Sequence, residues 1–220
     1  MRVEIWSDVV CPWCYVGTRR FSAALDRFDG EAEVAHRAFE LDPSVPAGGM
    51  DLSDYLARKF GGAGALDHVR DRLAHAGREA GIDFRWEGKR RVNTFDAHRL
   101  AAWAEGHGED GAASRSALEQ RLFRAYFTEN LDIADHGVLA GLAADVGLEG
   151  PRAAEALAMG AGADQVRAEE ARALELGISA VPTFVIEGRW AIPGAQDVDT
   201  FVQVLRRAAE RIAPLAASEE

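Results

Sequence analysis

The chain has two cysteines, Cys11 and Cys14, which are separated by Pro12 and Trp13. They follow a short apolar segment and stand where a helix is predicted to begin. Two intervening residues let the first turn of that helix bring the sulfurs within bonding distance, so the pair can alternate between dithiol and disulfide. The free N–H groups and the positive dipole end of a helix favour a thiolate at Cys11. Pro12 suits the first helical position, because its missing N–H costs nothing there.

The alternative to a redox pair is half of a zinc site. Zinc needs about four ligands, whereas this chain has no second cysteine pair and its histidines are scattered. They are His36, His68, His75, His98, His107 and His136. A disulfide that closed so short a loop would also contribute little to stability. We therefore predict a redox-active pair, with no metal and no separate cofactor.

The composition limits the classes of function. With 220 residues, of which 48% are hydrophobic, the chain can form one large domain or one domain with an insertion. The net charge of -11 and the pI of about 5.1 argue against nucleic acid and against an anionic membrane surface as partners. Charges at Arg2 and Glu4 interrupt the apolar run that a signal peptide needs, and no window is apolar enough to span a membrane. We expect a cytoplasmic location, where thiols are kept reduced and a CxxC pair is more often catalytic than structural.

The motif needs a sheet and a helix to hold it. Alternating apolar and polar residues predict a strand over 2–7. The helical spacing of Phe21, Leu25 and Phe28 predicts a helix that runs from the motif to about residue 28. A second strand is predicted over 33–41. These elements form a β-α-β unit, with the cysteines between its first strand and its helix.

The middle of the chain is rich in alanine and predicted to be helical. The predicted helices are 51–60, 66–80, 94–106, 112–128, 135–146 and 162–176. A glycine-rich run at 61–64 has only a superficial likeness to a phosphate-binding loop, because no strand leads into it and no Lys-Ser/Thr pair follows. Beyond this block, strands over 183–186 and 190–192 form a hairpin, and an amphipathic helix covers 197–209.

This order of elements, with CxxC after the first strand and Val-Pro before the third, resembles a thioredoxin-like α/β fold with a helical insertion. The chain is similar to the DsbA-like thiol-disulfide oxidoreductases, and within them to the FrnE-type branch, which is related to 2-hydroxychromene-2-carboxylate isomerases and kappa-class glutathione transferases. The matching stretches are 7–17 (SDVVCPWCYVG), 39–43 (FELDP), 93–99 (NTFDAHR), 177–184 (GISAVPTF) and 192–196 (IPGAQ). The resemblance implies a thioredoxin-like domain formed by 1–45 and 177–213, an all-helical inserted domain over 46–176 and a flexible tail over 214–220.

Roles for the central residues follow. Cys11 is expected to attack a substrate disulfide, and Cys14 to resolve the mixed disulfide that forms. The resemblance implies that the Val181–Pro182 bond is cis and faces the sulfurs, so that the Val181 backbone pairs with an extended substrate. From the residues alone, an ordinary trans proline at the start of a strand is the simpler interpretation.

Other residues near the motif have two interpretations each. With Pro12, the aromatic residues Trp13 and Tyr15 either form an apolar platform for substrate or only cap the helix. Asp8 is a candidate for relaying a proton from Cys14, although a solvated charge at a strand end is the interpretation that we prefer. His98 lies in a stretch whose helix is a candidate to face the site, and a surface position is the simpler interpretation.

The predicted function is thiol-disulfide exchange of the DsbA type on protein or small-molecule disulfides, with glutathione as a candidate co-substrate. Periplasmic DsbA has histidine where this chain has Trp13, so we expect a less oxidising disulfide here. One alternative is a glutathione-dependent isomerase or transferase of aromatic or polyketide-like compounds, but those enzymes usually have serine in place of Cys11 and lack the second cysteine. A second alternative is a non-enzymatic binding or redox-sensing module that uses an apolar groove around Trp13.

Overall fold

The computed structural model describes residues 1–60, 67–108 and 110–216. The two ends of the chain together form a mixed sheet, and the middle of the chain is mainly helical. In chain order the elements are β1 (Arg2–Ser7), α1 (Pro12–Leu25), β2 (Glu33–Ala38), β3 (Met50–Asp51), α2 (Leu52–Phe60), α3 (Asp67–Glu79), β4 (Arg90–Arg91), α4 (Phe95–His107), α5 (Gly111–Phe127), α6 (His136–Asp145), α7 (Gly150–Ala158), α8 (Ala163–Glu175), β5 (Thr183–Ile186), β6 (Trp190–Pro193) and α9 (Val198–Ala216).

The main sheet has the strand order β2-β1-β5-β6, so β1 is central. It runs parallel to β2 and antiparallel to β5, where Ile5 pairs with Phe184. Alternation along β1 sends Ile5 to the face covered by α1 and α9, where Phe21, Phe184 and Phe201 form an aromatic core. Trp6 faces the other side and packs near α8. This arrangement confirms the predicted β-α-β and β-β-α halves and fixes the end of β1, where the cysteine motif begins.

The insertion between β2 and β5 contains helices α2 to α8 and a feature that the sequence pattern did not predict. β3 and β4 pair as a short antiparallel ribbon, and strands of two residues are too short to produce a visible alternation. Helix α7 was also missed, although proline in its first turn is an ordinary helix-start signal. The glycine-rich run at 61–64 lies outside the described residues.

Several predicted boundaries need correction. Helix α1 ends at Leu25 rather than near residue 28, although Phe28 still packs on the core of the sheet. Strand β2 ends at Ala38 rather than at residue 41. The first three residues of the predicted tail, 214–216, belong to α9, and the rest lie outside the described residues. In the part of the chain that the structure covers, no helix has the length and apolarity that crossing a membrane requires.

Buried ion pairs attach the helical insertion to the sheet. Arg115 on α5 is only 1% exposed and donates two hydrogen bonds of 2.7 Å to the carboxylate of Glu169 on α8. Glu169 in turn accepts the backbone N–H of Ala38 on β2, at 2.7 Å. Glu119, one turn after Arg115, is fully buried and lies 2.8 Å from Nδ1 of His36 on β2. Burial alone would raise the pKa of Glu119, but the charges of His36 and Arg115 lower it to about 2.

Candidate active site

The cysteine motif forms the start of α1. Cys11 is the N-cap residue and Pro12 is the first residue of the helix, as predicted. The sulfur of Cys11 accepts a hydrogen bond from the backbone N–H of Cys14, with a distance of 3.3 Å. Both cysteines are free thiols, and Cys11 is 5% exposed while Cys14 is fully buried. The helix therefore places the two sulfurs one turn apart, with Cys11 on the accessible side.

Cys14 is held as a thiol by its surroundings. Burial raises the pKa of the Cys14 thiol well above its ordinary value, and the neighbouring sulfur of Cys11 raises it further. The backbone N–H of Asp8 partly offsets this effect, while the negative charge of the Asp8 carboxylate adds to it. At neutral pH, Cys14 thus keeps its proton until a charge or a reaction partner changes its environment.

The loop before β5 faces the cysteines. The Val181–Pro182 peptide bond is cis, and the thiol of Cys11 donates to the carbonyl oxygen of Val181 at 3.7 Å. A Cβ atom at Gly17 on α1 would lie 3.0 Å from Cγ of Pro182 and 3.3 Å from Cβ of Ala195. A side chain at this position would therefore push the loop away from the helix by a few tenths of an ångström. The cis bond and its position beside Cys11 agree with the resemblance, and the pairing of the Val181 backbone with a substrate stays a prediction.

Asp8 and His98 form a buried pair behind the motif. Asp8 follows β1 directly, and its Oδ2 accepts the backbone N–H of Leu41 at 2.8 Å. Its Oδ1 lies 3.4 Å from Nε2 of His98 on α4, and neither side chain is exposed. The preferred interpretations of Asp8 as a solvated charge and of His98 as a surface residue were therefore wrong. The reason is that α4 packs over the end of the central strand, which no local pattern reveals.

The two members of this pair stabilise each other's charged forms. Burial alone would raise the pKa of Asp8, but His98, the charge of Arg91 and the N–H of Leu41 together hold it below its ordinary value. Burial alone would lower the pKa of His98, but Asp8, followed by more distant carboxylates, raises it above its ordinary value. Each of the two residues thus favours the charged form of the other at a position where neither side chain is exposed.

A cavity of about 490 Å³ lies beside the motif, between it and the helical insertion. The motif contributes one wall, and α2, α3 and the segment around β4 contribute the others. The lining is mainly apolar and aromatic, and it consists of Val10, Pro12, Trp13, Leu41, Leu52, Tyr55, Leu56, Lys59, Val69, Arg70, Leu73, Trp86, Lys89, Arg91, Tyr126 and Phe127. A cavity of this size and character suits a small organic molecule.

The two aromatic residues of the motif have different environments. Trp13 lines the cavity, and the guanidinium of Arg72 lies 5.6 Å from the centre of its ring. Tyr15 instead packs in the core, where its ring stacks on Phe123 with a distance of 5.2 Å between ring centres. Burial raises the pKa of Tyr15. The structure thus corrects the expectation for Tyr15, which supports the motif from the core, and keeps Trp13 as a candidate for substrate contact.

Two buried basic residues of the cavity were missed from the sequence. Lys89 is 2% exposed and donates to the carbonyl oxygen of Tyr126 and to Oδ1 of Asn130, the latter at 3.4 Å. Arg91 is 5% exposed, and its guanidinium lies 4.8 Å from the ring centre of Tyr55. The basic run 89–91 in a strongly acidic chain is the signal that could have identified them.

Comparison with known proteins identifies the family. The family described as DSBA-like thioredoxin domain matches residues 2–206. The chain belongs to this family. A probable DsbA oxidoreductase from Streptomyces coelicolor is 35% identical, with a TM-score of 0.86 over 96% of this chain and 90% of that one. The uncharacterized protein YwbO of Bacillus subtilis is 29% identical over 212 residues, which are 93% of this chain and 96% of YwbO.

A more distant structure shares the same fold. The cytosolic disulfide reductase DsbM from Pseudomonas aeruginosa, in a structure with GSH, is 24% identical to this DSBA-like chain. The two superpose with a TM-score of 0.64, over 96% of this chain and all of that one. Together these comparisons confirm the predicted thioredoxin-like fold. Over the described ranges, no three or more His, Cys, Asp or Glu side chains are grouped so that they could hold a metal ion.

The buried lysine gives this DSBA-like protein a measurable pH dependence. Burial lowers the pKa of Lys89 from 10.5 to about 8. Between these values the unfolded chain binds more protons than the folded one, so raising the pH stabilises the fold. The free energy of unfolding of wild type, minus that of Lys89→Met, should rise by up to about 3 kcal/mol from pH 7 to pH 10.5. Urea denaturation of both proteins across this range measures the difference, and parallel profiles would contradict the burial of a charged Lys89.

Proposed function

We propose that this DSBA-like protein is a thiol-disulfide oxidoreductase in which Cys11 exchanges disulfides with a substrate and Cys14 completes the reaction. The observation that carries the proposal is the arrangement of the two sulfurs at the start of α1. Cys11 keeps 5% exposure and lies next to the Val181 carbonyl, whereas Cys14 is fully buried one turn behind it. This asymmetry suits a first attack at one sulfur and a later, intramolecular attack by the other.

The proposed reaction transfers two electrons between the Cys11–Cys14 dithiol and a substrate disulfide. In the reducing direction, the Cys11 thiolate attacks one sulfur of the substrate disulfide, the substrate S–S bond breaks, and one substrate thiolate leaves. Cys14 then loses its proton and attacks the Cys11 sulfur, which releases the second substrate thiolate and forms the Cys11–Cys14 disulfide. The substrate is reduced to two thiols while the dithiol is oxidised. The same steps in reverse oxidise a dithiol substrate.

Asp8 and His98 are assigned a supporting part in this scheme. The Asp8 carboxylate raises the pKa of Cys14, and its backbone N–H opposes that effect, so Asp8 is close enough to act on the second cysteine. His98 keeps Asp8 charged in a fully buried place. We assign the Asp8 carboxylate as the group that receives the proton of Cys14 when Cys14 attacks Cys11, with His98 positioning that carboxylate. Their role is to control when Cys14 reacts.

The substrate surface is formed by the motif and the loop that faces it. Pro12 and Trp13 border the cavity, and the Val181–Pro182 segment offers its backbone beside Cys11. We assign protein or small-molecule disulfides as substrates, with glutathione as a co-substrate.

The proposal includes a cytoplasmic location, which cell fractionation with an antibody to the protein would test.

A redox titration tests the proposed function directly. The protein is equilibrated with glutathione buffers of graded poise, and its free thiols are counted by alkylation and mass spectrometry. We expect two thiols to be lost together in one two-electron step, and we expect the oxidised protein to be re-reduced by glutathione. Cysteines that stay reduced in oxidising buffers, or that are lost independently, would contradict a Cys11–Cys14 redox pair.

The cavity also favours a second candidate, a glutathione-dependent isomerase of aromatic or polyketide-like compounds. Its apolar lining next to Pro12 and Trp13 could hold such a compound close to Cys11. Isomerisation through a glutathione adduct needs no resolving thiol, so Cys14→Ser would preserve it. Disulfide turnover needs both sulfurs, and the same variant therefore separates the two candidates.

A further inference from the structure

We propose that the cavity beside the motif contains an anion-binding subsite formed by Arg91 and Lys89, and that its ligand is a small aromatic molecule carrying a carboxylate. This inference goes beyond disulfide exchange, because it requires neither sulfur, and it deepens the isomerase candidate, which places an aromatic compound in the same cavity. It follows from the charge of the cavity lining, from the surroundings of the two buried cations and from the apolar character of the remaining walls.

The charge of the lining is opposite to that of the whole chain. The protein has 36 acidic and 25 basic residues. Among the residues found to line the cavity, however, four are basic and none is Asp or Glu. The basic ones are Lys59, Arg70, Lys89 and Arg91. A concave site with one sign of charge and low-dielectric walls attracts ligands of the opposite sign. The complementary carboxylate must therefore come from the ligand.

Arg91 is the central cation of this subsite. It is 95% buried, and its Nε has no hydrogen-bond partner among the residues that the structure describes. The carboxylate of Asp8 is near enough for the Arg91 charge to lower its pKa. Both Asp8 oxygens are nevertheless engaged, Oδ2 by Leu41 and Oδ1 by Val10 and His98. A buried guanidinium with an unused donor is costly unless an anion pairs with it, and a carboxylate fits its planar fork.

Lys89 supplies a second positive charge. It is 98% buried, and the atoms around its ammonium group are neutral. They are the Tyr126 carbonyl oxygen, the Asn130 side-chain oxygen and the face of the Tyr126 ring, whose centre lies 4.2 Å from Nζ. Because no described carboxylate takes part in these contacts, the ammonium charge remains available to an incoming anion.

The rest of the lining selects the body of the ligand. Leu56, Leu73, Trp86 and Phe127 present aliphatic and aromatic surface to the cavity. Its volume of about 490 Å³ lies within the range of about 300–1,000 Å³ that holds small organic ligands. A ring system would displace water from these walls while its carboxylate reached the two cations. A strongly hydrated polyanion would leave the apolar walls without a partner.

A matched pair of probes tests the subsite. Naphthalene-2-carboxylate and its neutral analogue naphthalene-2-carboxamide have the same ring and nearly the same shape, and their binding to the reduced wild-type protein is measured by isothermal titration calorimetry. We expect the carboxylate to bind about tenfold or more tightly than the amide, as for a buried charge-assisted contact. Equal affinities for the two probes, or no binding of the carboxylate, would overturn the proposal.

Substitution of Arg91 tests whether this residue causes the preference for the carboxylate over the amide. In Arg91→Gln, the affinity for the carboxylate should fall by about tenfold or more while that for the amide stays within about twofold. Arg152→Gln, at a position 68% exposed on α7, is the matched control and should bind both probes like wild type. An unchanged carboxylate affinity in Arg91→Gln would overturn the proposal. If circular dichroism shows that Arg91→Gln does not fold, Lys89→Gln is tested in its place. Its affinities for the carboxylate and the amide are then judged by the same limits, together with the comparison of the two probes in wild type.

The test is independent of the redox chemistry. Wild type and Arg91→Gln are carried in parallel through the titration with glutathione buffers. A chain that binds the carboxylate selectively but shows no two-electron step retains the subsite and loses the proposed function. A chain with a normal two-electron step and no selectivity between the probes retains the function and loses the subsite.

Discussion

Cys14→Ser should stop disulfide turnover and leave the substrate covalently attached to Cys11. The variant keeps the more accessible sulfur, so the first attack still breaks the substrate disulfide. It lacks the buried thiol that releases the second half of the substrate, and the mixed disulfide accumulates. Turnover of insulin or of glutathione disulfide should fall by about three orders of magnitude or more, as when one member of a catalytic unit is removed. Intact-mass spectrometry identifies the trapped adduct.

Two further variants make this result specific. Cys11→Ser should also lose turnover but form no adduct, because the remaining sulfur is fully buried and burial raises its pKa. Met159→Ser, which exchanges a sulfur side chain for serine at a position 80% exposed, should behave like wild type. Disulfide turnover that persists in Cys14→Ser would contradict the resolving role of Cys14.

The elements of the sheet could be predicted because their signals are local. The alternation in β1 and the turn between β5 and β6 show in a few neighbouring residues, and the structure confirms both within one residue. The β3–β4 ribbon has no such signal, since its pairing of Met50 with Arg91 joins residues far apart in the chain. Propensity and periodicity describe a segment, whereas pairing of this kind depends on how segments meet.

The same distinction separates the parts of the candidate site. Cys11, Cys14 and Pro182 carry chemistry that a short motif or a family resemblance can show. The burial of Asp8 and His98 depends on α4 covering the end of β1, which is a property of the assembled fold. An isolated acid before a motif is ordinarily solvated, so the preference for a solvated Asp8 followed a sound rule. The rule failed because His98, which lies 90 residues later in the chain, stabilises the charge of Asp8.

Arg115→Met should cause the largest loss of stability of the substitutions considered. The guanidinium of Arg115 bridges carboxylates on three helices, Glu105 on α4, Glu119 on its own helix and Glu169 on α8. Removing it leaves the fully buried Glu119 and the largely buried Glu169 with one positive partner fewer. Breaking a buried ion pair from one side costs about 3–5 kcal/mol, so the free energy of unfolding should fall by that amount. For a domain of this size the melting temperature should be roughly 10 °C lower.

A control on the same helix separates burial from charge. Arg124 on α5 is 66% exposed and pairs with Glu129 at 2.9 Å. Arg124→Met removes the same charge and introduces the same side chain. It should lower the free energy of unfolding by less than about 1 kcal/mol, as for an exposed pair. Urea denaturation of wild type and both variants at pH 7 gives the comparison. Equal losses in the two variants would mean that the buried network does not join the insertion to the sheet.

The pH dependence of the loss identifies the groups responsible. In wild type, the pKa of Glu119 is lowered to about 2 and that of Glu169 is lowered as well. Their contribution to stability is therefore complete above their ordinary value near 4.5 and is lost as the pH falls toward 2. Without Arg115 these carboxylates bind protons more readily in the folded state. The free energy of unfolding of the variant therefore recovers in part as the pH falls from 7 to 4.5. The deficit of Arg115→Met should thus be largest at pH 7 and clearly smaller at pH 4.5, whereas lost packing alone would give the same deficit at both.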